Sequence, residues 1–486
     1  MSQIKISELT FAYDGSYDNV FDKASVQLDT AWNLGLIGRN GRGKTTLLRL
    51  LCGALDAHGA ISASVSFEYF PYAVIDMSRA AREVAQEIAG HTEPWRLARE
   101  LSLLGVPEEA LERPYETLSH GERTKVQLAA FFVRDNSFPL LDEPTNHLDA
   151  EGRALVARYL KSKSGFLLVS HDRDFLDACV DHVLAINKTG FELQNGNFSS
   201  WNENRMARDA REQAENERLR GEMRRLTDAA RRAATWSDKT ESTKKSAADS
   251  GFVGHKAAKM MKRSKNIERR RNEAAERKGE LLHDIETAEP LKLWPVAFHS
   301  DRLFEVNALS PCYGGRSVCE PQSFAVRRGD RLRLAGGNGS GKSSVLRLFA
   351  GEQGDYTGEL WRAAGLTVSY MPQSTAHLRG TLRDYAEACA VDETLFLSIL
   401  RKLDFARLMF EKDMRDYSEG QRKKVLLARS LCERAHVYLW DEPLNYIDVF
   451  SRMQIEDLLR DYAPTMVFVE HDEAFARAVA TKTIRL

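Results

Sequence analysis

Long hydrophobic runs are missing from this sequence of 486 residues. No uninterrupted apolar stretch approaches the ~20 residues that a membrane-spanning helix needs, which argues against a span within the chain. The amino-terminal residues also lack the basic start and continuous apolar core of a secretory signal. Cysteine is sparse: the six cysteines are scattered and form no C-x-x-C pair, which argues against a disulfide framework or a zinc site. We therefore expect a cytoplasmic protein with reduced thiols.

The net charge is only −1, but it is unevenly distributed along the chain. Residues 205–280 contain 22 Lys and Arg against 13 Asp and Glu, a local charge of +9, which leaves −10 for the rest. A basic segment therefore lies between two acidic regions. Basic helices are attracted to phosphate backbones, although a single charged helix is more often a solvated coiled coil.

The chain contains an internal repeat, because the same ordered landmarks recur about 299 residues apart. Near-constant spacing indicates duplication of a whole domain. Strands, a glycine-rich turn and helices follow one another in each copy, which predicts an α/β domain with a largely parallel sheet. We place copy one at residues 1–198 and copy two at residues 300–486. The paired landmarks are Lys44 and Lys342, Ser119 and Ser418, Asp142 and Asp441, and His171 and His471.

Residues 199–299, between the copies, are rich in helix formers. Two runs have narrow apolar seams, which predicts a long antiparallel helical hairpin that links the copies. The first seam consists of Leu219, Met223, Leu226, Ala230 and Ala233, and the second of Ile267, Ala274 and Leu281.

Two glycine-rich phosphate loops, GRNGRGKT and GGNGSGKS, each precede an apolar helix. Glycines let backbone N–H groups wrap phosphates, and the helix offers its positive end. Lys44 and Lys342 are expected to hold the β- and γ-phosphates of ATP, while Thr45 and Ser343 supply hydroxyls for Mg²⁺. The candidate ATP-binding residues are Gly38, Asn40, Gly41, Gly43, Lys44, Thr45 and Thr46 in copy one, and Gly336, Asn338, Gly339, Gly341, Lys342, Ser343 and Ser344 in copy two.

An apolar strand ends in paired acids in each copy, as FPLLDE and VYLWDE. The first acid, Asp142 or Asp441, suits a Mg²⁺ ligand, and the second, Glu143 or Glu442, suits activation of the attacking water. For an isolated pair, a strand followed by a solvated acidic turn would be the simpler interpretation. Pro139 donates no hydrogen bond to a sheet, so we expect it at the start of its strand.

The motifs LSHGE and YSEGQ, with DEPTNHLD, DEPLNYID, SHD and EHD, resemble those of ABC ATPases. The resemblance implies that each ATP lies between the phosphate loop of one copy and the signature loop of the other. It implies further that His171 and His471 contact the γ-phosphate and that Tyr13 and Tyr313 stack on adenine. The signature residues expected to share ATP with Lys342 are Ser119 and Gly121, and those expected to share it with Lys44 are Ser418, Gly420 and Gln421.

Copy one departs from this pattern. In copy two, Gln373 matches the glutamine that helps to coordinate Mg²⁺ in the family, whereas Tyr72 stands at that position in copy one. His120 and Glu122 also replace the usual glycine and glutamine of the signature. We therefore expect two unequal ATP sites.

Two ABC domains joined by a charged helical linker resemble the ABC-F family of ribosome-binding translation factors, and the sequence is most similar to its Lsa- and Vga-type antibiotic-resistance members. This resemblance implies a monomer that hydrolyses ATP, binds the tRNA exit site of the 70S ribosome and reaches the P-site tRNA and the peptidyl transferase centre. Protection against lincosamides, pleuromutilins and streptogramins A would follow. The linker residues expected to contact RNA are Lys244, Lys245, Phe252, Val253, Lys256, Lys259, Lys262 and Arg263.

Other functions share the ATPase motifs. A housekeeping ABC-F translation factor would have the same architecture without drug resistance. The ATPase subunit of an exporter would explain the nucleotide sites but would leave the hairpin without a role. A genome-maintenance ATPase typically has a much longer coiled coil or a cysteine metal hook.

Overall fold

The structure is a computed structural model that describes residues 3–13, 19–146, 148–187, 190–242, 269, 290–337, 339–405 and 407–486. The chain divides into two compact units, one formed by Met1–Trp201 and Ala288–Leu486 and the other by Asn202–Thr287. Both copies of the repeat belong to the first unit. Among the helices described, none combines the length and apolar composition that crossing a bilayer requires.

Copy one is an α/β domain with two sheets. Its larger sheet has the order β5-β6-β7-β3-β8-β9 and is parallel except for β9. A smaller antiparallel sheet has the order β2-β1-β4. The strands are β1 (Gln3–Phe11), β2 (Phe21–Asp29), β3 (Asn33–Ile37), β4 (His58–Ala63), β5 (Ser66–Phe70), β6 (Ser137–Asp142), β7 (Phe166–Val169), β8 (His182–Asn187) and β9 (Gly190–Asn195). The helices are α1 (Lys44–Leu51), α2 (Ala81–Ala89), α3 (Pro94–Leu103), α4 (Glu108–Leu111), α5 (His120–Phe131), α6 (Ala150–Lys161) and α7 (Arg173–Cys179).

The first predicted linker helix is present as α8 (Phe198–Ser242), which is 45 residues long. Residues with high helix propensity dominate this stretch, so a continuous helix is expected even where no other element packs against it. The second predicted seam, Ile267, Ala274 and Leu281, lies outside the described residues.

Copy two repeats the architecture of copy one. Its larger sheet is parallel throughout, with the order β16-β18-β19-β14-β20. The strands are β10 (Trp294–Pro295), β11 (Arg302–Tyr313), β12 (Arg316–Ser317), β13 (Gln322–Arg327), β14 (Arg331–Ala335), β15 (Tyr356–Arg362), β16 (Val368–Met371), β17 (Arg434–Ala435), β18 (Val437–Asp441), β19 (Met466–Val469) and β20 (Lys482–Arg485). The helices are α9 (Lys342–Ala350), α10 (Leu382–Ala388), α11 (Glu393–Lys402), α12 (Glu419–Cys432), α13 (Val449–Tyr462) and α14 (Glu473–Val479). The prediction of a duplicated α/β domain is confirmed.

The parallel sheets bring the motifs to one edge. In copy one, the phosphate loop follows β3, Asp142 ends β6, and His171 comes two residues after β7. These three strands are consecutive in the sheet, and the carboxyl ends of parallel strands meet at one edge. The central strands are buried on both faces, which explains why β7 (FLLV) and residues 34–37 of β3 contain no polar side chain. Copy two has the same arrangement on β14, β18 and β19.

Pro139 is the third residue of β6 and not the first, so its predicted place was wrong. It lies opposite Glu68 of β5, but pairing with β7 begins only at Leu140. The strand accommodates a residue without an N–H group because pairing on its second side starts after the proline.

The hydrophobic cores of the two copies meet. The core of copy one includes Val449, the first residue of α13 in copy two, and Phe450 packs against the same cluster. The Phe450 ring lies 6.1 Å from the ring of Trp201, in the first turn of α8. Apolar side chains of the two copies are therefore in contact beside the first turn of α8.

Candidate nucleotide-binding and hydrolysis sites

The signature loop of copy one and the phosphate loop of copy two line one cavity of about 760 Å³. This volume is in the range of small-molecule sites. Lys342 is thus brought together with Ser119 and Gly121 from the other copy, as the motif resemblance implies. The cavity residues that the sequence singled out are Ser119, His120, Gly121 and Glu122 from copy one, and Tyr313, Gly339, Gly341, Lys342, Ser343, Ser344, Gln373, Glu442 and His471 from copy two.

The phosphate loops have the same local conformation in both copies. Gly43 and Gly341 precede helices α1 and α9 with φ angles of 91° and 86°, in the left-handed region that glycine adopts without steric cost. A Cβ on Gly43 would lie 2.5 Å from Cγ1 of Val20, so a side chain does not fit there. These turns aim the first N–H groups of each helix into the loop.

The loop lysines donate to main-chain carbonyls of their own loops. Lys44 Nζ lies 2.7 Å from the Gly38 carbonyl oxygen, and Lys342 Nζ lies 2.7 Å from that of Gly337. Burial lowers the pKa of both ammonium groups. Both cations are therefore held inside the loops, where a phosphate would be bound. Asn338 of the second loop lies outside the described residues.

The candidate adenine-stacking tyrosines have matching contacts. The Tyr13 hydroxyl is hydrogen-bonded to Thr46 Oγ1, and the Tyr313 hydroxyl to Ser344 Oγ, each at 2.8 Å. Tyr13 is 45% exposed and Tyr313 is 60% exposed. Each ring is fixed at its hydroxyl and remains accessible for stacking.

At the first site, the copies are already in contact. Asn40 Nδ2 donates to the carbonyl oxygen of Tyr446 at 3.3 Å. A Cβ on Gly420 would lie 2.7 Å from the same oxygen. Tyr446 therefore contacts both the phosphate loop of copy one and the signature glycine that was expected to share ATP with Lys44. The signature serines Ser119 and Ser418 cap α5 and α12, each in a capping box.

The predicted Mg²⁺ ligands supply suitable oxygen atoms. In copy one, Thr45 Oγ1 lies 3.0 Å from Asp142 Oδ2, which also accepts a hydrogen bond from the Tyr69 hydroxyl at 2.9 Å. In copy two, both carboxylate oxygens of Asp441 are buried and have no hydrogen-bond partner among the described residues. Burial raises the pKa of Asp441 to about 6. An unsatisfied buried carboxylate beside Ser343 fits a hard cation that prefers oxygen ligands.

The candidate catalytic glutamates share an unusual backbone conformation. Glu143 has φ 54° and Glu442 has φ 49°, in the left-handed region that costs a non-glycine residue of order 1 kcal/mol. The Glu143 amide donates to the Val169 carbonyl and the Glu442 amide to the Val469 carbonyl, each at 3.0 Å. This turn follows the last strand residue and leaves each carboxylate facing the switch histidine of its own copy.

In copy two, several side chains contact the Glu442 carboxylate. Gln373 Nε2 and Asn445 Nδ2 donate to Glu442 Oε2 at 2.8 and 2.6 Å, and His471 Nε2 lies 3.6 Å from Oε1. Burial alone would raise the pKa of Glu442, but contacts with His471 and Gln373 and the charge of Lys423 outweigh it and lower the pKa to about 2. Glu442 is therefore held as a carboxylate.

In copy one, Glu143 has a different environment. His171 Nε2 lies 3.3 Å from Glu143 Oε1, but Tyr72 does not take the place of Gln373, because its hydroxyl donates to Glu87 at 2.6 Å. Burial and the neighbouring charge of Asp142 raise the pKa of Glu143 to about 8. The expected inequality of the two sites is present in their geometry and charge.

A buried charge difference between the copies was not predicted from the sequence. Lys423 in α12 is almost fully buried, and its counterpart in copy one is Thr124. Glu470, also buried, has Ser170 as its counterpart and accepts hydrogen bonds from the amides of Leu444 and His471. Copy two therefore has a buried cation, Lys423, and a buried anion, Glu470, at positions where copy one has uncharged residues. Comparison of the two copies would have revealed this joint change.

The candidate RNA-contacting residues lie outside the described residues. They are Lys244, Lys245, Phe252, Val253, Lys256, Lys259, Lys262 and Arg263.

Comparison with known proteins gives consistent matches. Residues 21–146 and 319–445 match the ABC transporter family model. The chain is 27% identical over 489 residues to the ribosome protection protein VmlR of Bacillus subtilis, covering 96% of this chain and 83% of VmlR. It is 25% identical over 503 residues to the energy-dependent translational throttle protein EttA of Haemophilus influenzae, covering 92% of this chain and 85% of EttA. An archaeal ribosome recycling factor, aABCE1, solved in complex with the ribosomal stalk protein aP1, has the same fold, with a TM-score of 0.63 and 19% identity over 98% of this chain and 87% of that one.

Proposed function

We propose a function at the ribosome, on the premise that this chain belongs to the ABC transporter family and, within it, to the ABC-F proteins. Its two ATPase domains bind ATP and hydrolyse it to ADP and phosphate. The observation that carries the proposal is the cavity whose walls come from both copies. ATP bound there would join the two copies, so that nucleotide state would control the segment that connects them.

We assign the hydrolytic roles by motif and position. Lys44 and Lys342 would bind phosphates, and Glu143 and Glu442 would orient and deprotonate the attacking water. Bound Mg²⁺ would neutralise charge on the phosphates. The residues proposed to hold it are Thr45 and Asp142 at the first site, and Ser343, Gln373 and Asp441 at the second.

The proposed target is the tRNA exit site of the 70S ribosome, entered by the ATP-bound protein as a monomer in the cytoplasm. The linker, predicted to be a hairpin, would extend toward the P-site tRNA and the peptidyl transferase centre. Its local charge of +9 supports binding to RNA. The names of VmlR and EttA, a ribosome protection protein and a translational throttle protein, support the same target.

Protection against lincosamides, pleuromutilins and streptogramins A is the finer proposal, and it is supported by the similarity to VmlR over nearly the whole chain. The second candidate is a housekeeping ABC-F factor without drug resistance, which the similarity to EttA favours. A susceptibility panel in cells that express the protein separates the two, because only the first raises the inhibitory concentrations of these drugs.

Co-sedimentation tests the ribosomal target. The Glu143→Gln/Glu442→Gln protein with ATP should pellet with 70S ribosomes, whereas the same protein with ADP should stay in the supernatant. A parallel arm with membrane vesicles tests the exporter alternative. Vesicle binding without ribosome binding would overturn the proposal.

A further inference from the structure

Two arginines occupy equivalent positions where the copies meet, each four residues after the aspartate that precedes a helix. In copy one, Arg153 Nε donates to the Leu148 carbonyl at 3.1 Å, and Nη1 donates to Asp172 Oδ2 at 3.2 Å. In copy two, Arg452 binds the Ile447 carbonyl at 2.9 Å and Asp472 at 3.0 Å. Each arginine thus links the loop after the acidic pair to the aspartate that follows the switch histidine of its own copy.

Arg153 also contacts the other copy. Its Nη1 donates to the main-chain carbonyl of His471 at 3.3 Å. The His471 ring faces Glu442, and Arg153 lines the wall of the same cavity. In the described part of the chain, the structure shows no corresponding hydrogen bond from Arg452 to the His171 carbonyl. This hydrogen bond between the copies is therefore one-sided and is directed at the second site.

The surrounding charges make this arrangement sensitive to substitution. Asp172 and Asp472 are both buried. Burial raises the pKa of Asp172, and the nearby charge of Asp472 raises it further. Two buried carboxylates near each other need counter-charges, which Arg153 and Arg452 supply. Loss of one guanidinium would allow the switch segments to shift relative to each other.

We propose that Arg153 is a positioning residue for ATP hydrolysis at the second site. It holds the main chain of His471 so that the imidazole faces Glu442, and it thereby makes turnover at that site depend on contact between the copies. The proposal rests on the proposed roles of Glu442 and His471. It assigns no contact between Arg153 and the reacting atoms.

The test isolates each site with a glutamate variant. In the Glu143→Gln background, remaining turnover comes from the Glu442 site, and Arg153→Gln should lower kcat about tenfold, the value of one lost charge-assisted hydrogen bond. KM for ATP should change less than twofold, because the phosphate-loop residues are unaltered. In the Glu442→Gln background, the same Arg153→Gln change should lower kcat clearly less, because the first site loses only the contact between Arg153 and Asp172. Arg153→Lys should restore part of kcat because it retains a cation beside Asp172.

Three outcomes would overturn the proposal. An equal loss of kcat in both backgrounds would indicate a general structural role, and a rise in KM alone would indicate direct nucleotide binding. ATP turnover that persists in the Glu143→Gln/Glu442→Gln protein would show that the glutamates are not the catalytic bases. The positioning role of Arg153 would then also be wrong. Thermal melting of each variant monitors folding, and Arg153→Lys serves as the second variant if Arg153→Gln does not fold.

Discussion

Lys423 Nζ lies 3.4 Å from the main-chain carbonyl of Asp441, so a buried cation sits at the base of the acidic pair in copy two. The same ammonium group lies 3.5 Å from the carbonyl of Pro372, which precedes Gln373. Burial lowers the pKa of Lys423, and the charges of Glu442, Asp441 and Glu470 oppose that effect. Lys423 therefore joins the glutamine loop to the acidic strand and balances several buried carboxylates.

Lys423→Thr, which introduces the residue of copy one, should destabilise the protein by about 3–5 kcal/mol, because it leaves buried carboxylates without their cation. Glu470→Ser should be destabilising for the converse reason. The double variant recreates the Thr124 and Ser170 pair of copy one and should cost about 1–3 kcal/mol less than the sum of the single variants. Urea unfolding of all four proteins measures this coupling energy. Additive costs would mean that Lys423 and Glu470 act independently.

Replacing Glu143 and Glu442 together by glutamine should reduce ATP turnover by ~10²-fold or more, because the base that activates water is lost. ATP binding should persist, since the phosphate-loop lysines are unchanged. Steady-state phosphate release measures turnover, and equilibrium binding of a fluorescent ATP analogue measures affinity. Glu359→Gln, a matched change at an exposed position of β15, is the control and should leave turnover as in the wild type. Unchanged turnover in the double variant would contradict the assignment.

The two signature glycines should differ in their tolerance of alanine. A Cβ on Gly420 would lie 2.7 Å from the backbone carbonyl of Tyr446, which cannot move aside easily, whereas a Cβ on Gly121 would meet only the Leu148 side chain, at 3.3 Å. Gly420→Ala should therefore lower the melting temperature, and Gly121→Ala should change it little. Differential scanning calorimetry compares the two variants. Equal shifts would show that the Tyr446 segment adapts.

The linker tip is expected to determine drug protection. Replacing Phe252 and Val253 by alanine should abolish protection while ATP hydrolysis and most ribosome affinity remain, because the neighbouring lysines still meet phosphates. Inhibitory concentrations, ATPase rates and ribosome co-sedimentation form the three measurements. Protection that survives deletion of residues 246–254 would show that the tip is not the part of the protein that protects.

The repeat explains why so much of the fold could be predicted. Motifs that recur at constant spacing predicted two α/β domains, and the strand order then brings Asp142 and His171 to the phosphate-loop edge. Sequence could not predict the contact between Arg153 and the His471 carbonyl, because that distance depends on how two separately folded copies pack. Pro139 was misplaced for a similar reason: its tolerance depends on where pairing with a neighbouring strand begins.

At Glu143 and Glu442, the positive φ angle lowers the stability of the protein, while the side chain is proposed to be needed for activity. Glycine would relieve about 1 kcal/mol of backbone strain at each position, and it would also remove the carboxylate proposed to activate water. Selection for a more stable protein alone would therefore favour loss of both side chains. A lineage released from the need to hydrolyse ATP should lose its glutamates here early, and the pair serves as a marker of whether turnover is still under selection.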